Sequence, residues 1–354
     1  MKAERNSSIE LLRIFAAMAV VVVHYNYSFA FRMNSPGGNL MILHLTDSFA
    51  ISAVNTFMVI TGYFSCLTSR RSLGKVASLL FQVSFWHTTF YLVRCIQGTA
   101  VPSLHDFVLS IIHPDYFVTL YVVVFVFSPY INRLLNTLTL REFRFLLFLC
   151  VIIFSVYAFF IDILYRDYNV NFRTGSPVGI TGGQGGCSFV NFCLAYLIGA
   201  YIQKKDTHLS CLQAITGFIV CGLLQWFLRY LELHVGVESV KLMARCYHNP
   251  LILAQAAFAL LFAKGFILRS PVINKLAGAA FTCYMVQFFF FQYIDIEYAV
   301  HQSVGYLLSH IVLSACIVYV ASYVLYLLYK NTLERIFVPL YQIMIPYEQK
   351  EDRK

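Results

Sequence analysis

Charge is what this chain has least of. Asp, Glu, Lys and Arg together make up 12% of its 354 residues, while 59% are hydrophobic and the mean hydropathy is +0.68. Soluble domains hold an apolar share nearer ~45–50%, so a water-soluble fold is excluded and a polytopic, all-α membrane protein is the class that remains. No basic tract interleaved with aromatic residues occurs, so the net charge of +9 gives no nucleic-acid site and must be read by membrane side. The ten cysteines include no pair at metal-ligand spacing, which excludes a cysteine metal site. Cys66, Cys150, Cys221 and Cys316 read as small apolar packers. Cys187 and Cys246 fall on outer segments where they would meet either as a disulfide or as two free thiols. No internal inverted repeat of the transporter type is present.

Ten apolar segments fit a membrane span: about 9–30, 45–67, 74–95, 116–134, 144–164, 187–203, 210–230, 249–268, 273–293 and 303–329. With a cytoplasmic N-terminus, the inner segments collect 19 of the 26 Lys and Arg residues. The outer ones keep Arg32, Arg94, Arg166, Arg173, Arg229, Lys241 and Arg245. That loop-by-loop asymmetry predicts both termini on the cytoplasmic side. The longest connections, about 96–115, 165–186 and 231–248, leave no room for a soluble domain. The chain therefore reads as one membrane domain over 1–347 with a charged tail at 348–354. Ser28 and Ala30 would suit signal cleavage, but the run before them is interrupted by Arg13 and His24 and many spans follow, so a cleaved signal is rejected.

What is present concentrates in residues 6–26, NSSIELLRIFAAMAVVVVHYN. Ser7 or Ser8 is the expected N-cap, with Glu10 in the first turn. At about 100° per residue, the eleven steps from Arg13 to His24 return to the same face, roughly 16 Å along the axis. Glu10 lies about 40° from His24. An acid, a base and an imidazole thus line one stripe of an apolar rod. Arg13 has a plainer use, pairing with Glu10 at i,i+3 or reaching to the membrane edge, and His24 a plainer one as an interior histidine. Three ionisable groups on one intramembrane face nevertheless mark a functional site.

Further along, Asn55, Thr56 and Thr61 can bond across helices and Gly62 permits close helix approach. Arg70, Arg71 and Lys75 open the third span from the cytoplasm, as an orientation signal or as a phosphate site. His87, beside Trp86, reads as a core residue. The glycine-rich run at 171–188 has no preceding strand and no Gly-Lys-Ser/Thr, so it is an outer loop and not a phosphate loop.

Ile9-Glu10-Leu11-Leu12-Arg13 followed by His24 resembles the Arg-x10-His signature in the first helix of acyltransferase family three, the multi-spanning bacterial enzymes that O-acylate surface polysaccharides. Residues 54–64 resemble that family's N-x-F-x-x-x-S-G-Y-F segment, with Thr61 in place of serine. Residues 116–135 with Ser128-Pro129-Tyr130-Ile131-Asn132, 192–202 with Tyr196-Leu197-Ile198-Gly199-Ala200-Tyr201, and Asn249-Pro250 before 251–262 continue the match. It covers nearly the whole chain and resembles the subgroup without a fused soluble domain. Two positions depart. Tyr284-Met285-Val286-Gln287 stands where the family has Tyr-Leu-Ile-His, and the paired arginines of the third helix appear as Arg70, Arg71 and Lys75 in altered spacing.

The resemblance implies transfer of an acyl group, expected to be acetyl, from cytoplasmic acyl-CoA to a hydroxyl of a surface polysaccharide or lipid-linked saccharide, in the bacterial inner (cytoplasmic) membrane. It implies acetyl-CoA as co-substrate and no metal. His24 is then the expected catalytic base or acyl carrier, Glu10 the group that orients Arg13, and Asn55 a candidate for polarising the carbonyl. Arg13, Arg71 and Lys75 are the expected donor-binding cations. A transporter or flippase of lipid-linked sugars, or a glycan polymerase, is the alternative class for a polytopic chain with buried charge.

Overall fold

The computed structural model describes residues 6–33, 35–68, 73–113, 115–161, 186–234 and 243–337. Among these there is no strand. The helices are α1 (Ser7–His24), α2 (Gly37–Ala50), α3 (Ala53–Ser65), α4 (Leu73–Ile96), α5 (Leu104–Ile111), α6 (Tyr116–Thr137), α7 (Leu140–Val151), α8 (Phe189–Lys204), α9 (Cys211–His234), α10 (Pro250–Lys264), α11 (Pro271–Leu276), α12 (Ala280–Phe291), α13 (Ile296–Val300) and α14 (Val304–Asn331). Among the described residues, eight helical stretches are long and apolar enough to cross a membrane. The chain is a multi-pass membrane protein.

Helices occupy all ten expected positions, with three differences in detail. The second begins at Gly37, well before the expected start, and breaks at Ile51–Ser52 between α2 and α3. Part of the connection at 96–115 folds as α5, started by Ser103, whose side chain accepts from the Asp106 N–H. The cap of α1 is Asn6, whose side chain accepts from Ser8 N–H at 3.0 Å. Asn caps as well as Ser does, which frees both serines for other work. Ser8 Oγ donates to Phe266 O at 2.8 Å and Ser7 Oγ accepts from Ser270 N–H at 2.9 Å, tying the start of α1 to the turn before α11. The glycine-rich loop up to residue 185 lies outside the described residues, as do Arg70 and Arg71.

α1 runs through the middle of the bundle and packs against α2, α3, α10, α12 and α14. α3 and α8 form the tightest pair. A Cβ at Gly62 would lie 2.0 Å from Tyr196 O, and one at Gly199 would lie 1.9 Å from Val59 O. These glycines let two backbones touch, the close approach expected of small residues in membrane helices. Several segments that carry the family resemblance join helices in this way. Asn132 Nδ2 donates to Ser65 O and Thr68 O, satisfying carbonyls at the end of α3, and Tyr196 donates to Asn132 Oδ1 at 2.8 Å. Asn249 caps α10 with Pro250 in its first turn.

Candidate active site

Arg13 stands at one end of a path along α1 that runs toward His24. At the Arg13 end, the guanidinium donates to Glu10 Oε1 at 2.6 Å and its Cζ lies 5.4 Å from the centre of the Phe64 ring. Glu10 is buried, so the pair places a fixed dipole at the helix start. Two chambers meet there. The wider, about 680 Å³, is bounded by Glu10, Arg13, Asn274, Lys275, Tyr323, Tyr326 and Lys330. The narrower, about 250 Å³, runs between α1, α3, α4, α6 and α12 past Val20, Phe57, Thr61, Leu79, Phe117 and Tyr284. Both touch Arg13, Ala277 and Gly278. Val20 precedes His24 by four residues and Tyr284 precedes Gln287 by three. The narrow chamber therefore reaches within about one helical turn of the imidazole.

His24 is half-buried, its ring packed 4.7 Å from that of Phe288. Its Nδ1 is buried without a hydrogen-bond partner, and so is Oε1 of Gln287 on the adjoining α12. Gln287 is the polar side chain next to the imidazole and holds itself in place by donating Nε2–H to Tyr284 O at 2.9 Å. The position where the resemblance expects histidine thus lies directly beside His24. Asp115 and Arg245 are the formal charges that act on the imidazole. Asp115 accepts from the Tyr284 hydroxyl at 2.9 and 3.0 Å.

The segment from Ala244 to Asn249 is pinned by contacts from six sides. Glu232 accepts from Ala244 N–H at 2.6 Å. Asp47 pairs with Arg245, whose Cζ also lies 4.2 Å from the Tyr27 ring centre. Asn55 Nδ2 donates to Tyr247 O at 2.7 Å, and Ser155 donates to His248 O at 2.7 Å. Gly186, at φ +82°, fits so closely that a Cβ would lie 2.5 Å from His248 N. Burial pushes the Tyr247 phenol up to about 12 and the Cys187 thiol up to about 11. Both therefore stay protonated near neutrality, so Cys187 offers no thiolate nucleophile. Cys187 is a free thiol, so it and Cys246 form no disulfide.

Glu10, Arg13 and His24 thus share α1; Glu10 and Arg13 line the wide chamber, and His24 lines neither. Asn55 is fully buried, and it also accepts from Asn191 Nδ2 at 3.0 Å, which makes it a joint between α3, α8 and the 244–249 segment. Lys75 is exposed near the start of α4 and lines neither chamber. Arg71 lies outside the described residues. Sequence reasoning missed Asp115 with Tyr284, Asp47 with Arg245, and the lysines of the wide chamber. The first two were findable as lone acids in apolar surroundings. The lysines were hidden among the inner basic residues.

No curated protein and no solved structure matches the chain. The family model described as an acyltransferase domain, that of acyltransferase family 3, matches residues 6–329.

Proposed function

The chain belongs to acyltransferase family 3 and is a membrane acyltransferase, and on that premise we propose that it moves an acetyl group from cytoplasmic acetyl-CoA to a hydroxyl of a cell-surface glycan or lipid-linked saccharide. The proposed setting is the bacterial inner membrane, with ten crossings and both termini cytoplasmic. The observation that carries the reading is the continuous path from Arg13 to within a turn of His24, polar and cationic at one end and apolar beyond. A phosphorylated carrier with a slender arm matches that change of character.

In this reading Arg13, held by Glu10, steadies the carrier at the inner mouth, with Arg71 and Lys75 as further donor-binding cations. The arm passes Gly278 and brings the thioester up to His24. His24 Nε2 takes the proton from the acceptor hydroxyl as the oxygen attacks the thioester carbon. The C–S bond then breaks, and the departing sulfur receives the proton, giving ester and free thiol. In the reacting complex Gln287 Oε1 accepts from His24 Nδ1–H, which would fix the tautomer that leaves Nε2 free to act as base; the two atoms, neighbours and both without partners, support this. Asn55 serves the site by holding the 244–249 segment.

The test is direct. Purified full-length protein is given acetyl-CoA and released thiol is followed with and without glycan acceptor. In parallel, surface glycans of a deletion strain are weighed for loss of an acetyl increment. No thiol release with any acceptor, together with unchanged glycan masses, overturns the proposal.

A further inference from the structure

We infer that Lys275 and Lys330 form a phosphate site in the wide chamber that grips the carrier of the acyl donor. This rests on the reading that the donor is a phosphorylated thioester. The two lysines come from α11 and α14, 55 positions apart in sequence, and converge on one cavity of about 680 Å³. Neither is in an ion pair with any described residue, whereas the carboxylate on the wall, Glu10, is bound to Arg13. Two uncompensated ammonium groups facing one space repel each other, and a multiply charged anion between them removes that repulsion. Each ammonium also supplies three donors suited to phosphate oxygens.

The rest of the wall suits the remainder of such a carrier. Asn274 presents a buried side-chain oxygen with no hydrogen-bond partner among the described residues, available to an amide or amino N–H. Tyr323 and Tyr326 lie side by side, ring centres 6.4 Å apart, giving an aromatic surface against which a flat base can lie. Lys330 Nζ sits 5.4 Å from the Tyr326 ring centre, which holds the ammonium toward the chamber. Gly278 adjoins both chambers, and a Cβ there would lie 2.5 Å from the Tyr326 hydroxyl. The Tyr326 ring thus packs directly against this glycine where the two chambers share a wall.

The experiment uses full-length protein in nanodiscs of neutral lipid only. Binding of coenzyme A and of phosphate-free pantetheine is measured for wild type, for Lys275→Ala/Lys330→Ala, and for the charge-keeping Lys330→Arg. Wild type should prefer coenzyme A. The double variant should lose that preference by about tenfold or more, the scale of a lost charged hydrogen bond, and Lys330→Arg should keep most of it. An equal loss for pantetheine would reveal a structural fault and overturn the site. Recovery of wild-type behaviour only on adding anionic lipid would assign the lysines to a headgroup and also overturn it. If wild type binds coenzyme A and the double variant binds it equally well, the inference falls alone. If wild type does not bind coenzyme A at all, the donor reading falls with it.

Discussion

Arg245 and Asp47, 198 residues apart, meet in a two-pronged ion pair: Nε lies 2.7 Å from Oδ2 and Nη2 lies 3.0 Å from Oδ1. Both side chains are at most 10% exposed, so the pair is sheltered and the fork of the guanidinium matches the carboxylate. It fastens the 244–249 segment to α2.

Removing one partner leaves the other charge buried alone. Asp47→Asn should cost about 3–5 kcal/mol of stability, read as a lowered unfolding temperature of detergent-solubilised protein. The double variant Asp47→Leu/Arg245→Met carries no stranded charge and should be more stable than either single change. A double variant at least as unstable as the sum of the singles would show that the pair is not the fastening.

Gln287 should act on turnover through His24. Gln287→Leu removes the acceptor for Nδ1–H and should lower kcat about 5- to 10-fold, the worth of a hydrogen bond of about 1–1.5 kcal/mol, with donor KM little changed. Gln287→Glu supplies a negative acceptor that favours the imidazolium. The base must be unprotonated to work, so the acid limb of the kcat profile should move to higher pH. A glutamate variant with an unmoved profile would separate Gln287 from the imidazole.

Arg13 and His24 should fail differently. Arg13→Lys keeps charge and loses the fork, so it should mainly raise the donor KM, since lost ground-state binding appears there. His24→Ala should cut turnover by roughly 10²–10⁴-fold, as for a removed general base, with donor binding nearly intact. His24→Gln can donate a hydrogen bond but takes no proton near neutrality, and it should be as inactive as the alanine variant. An active His24→Gln enzyme would remove His24 from the chemistry.

Gly199 tests the packing that carries the site. A Cβ there would lie 1.9 Å from Val59 O, a backbone atom that cannot swing aside. Gly199→Ala should force α3 and α8 apart and cost at least the roughly 1–3 kcal/mol of an overpacked core. Gly305→Ala, with open space around its Cβ, is the control and should unfold near the wild-type temperature. Equal unfolding temperatures for the two variants would contradict the backbone contact.

The positions of the helices and the acid-base stripe of α1 were legible because they are local properties, carried by runs of apolar residues and by an eleven-residue spacing. The break at Ile51–Ser52 was not, since the residues around it are as apolar as the helices it separates. Pairings over long separations were equally hidden. Arg229 and Arg245 counted in the sequence as outer charges, yet each is committed to an acid, Glu232 and Asp47 respectively. The path itself was invisible, because it is bounded by residues of seven helices that only packing brings together. Gln287, the polar neighbour of the imidazole, stood out in the sequence only as a departure from the family.

The two helices too short to be counted as spans have a physical consequence. α8 has 16 residues and α10 has 15, which at 1.5 Å per residue is about 24 and 22 Å, against a hydrocarbon thickness of roughly 30 Å. Both sit in the bundle beside α3. A helix that crosses the layer and is shorter than it cannot reach water with both ends, so its end groups must be answered by protein. The starts of both are: Ser188 accepts from Asn191 N–H at the start of α8, and Asn249 accepts from Leu251 N–H at the start of α10.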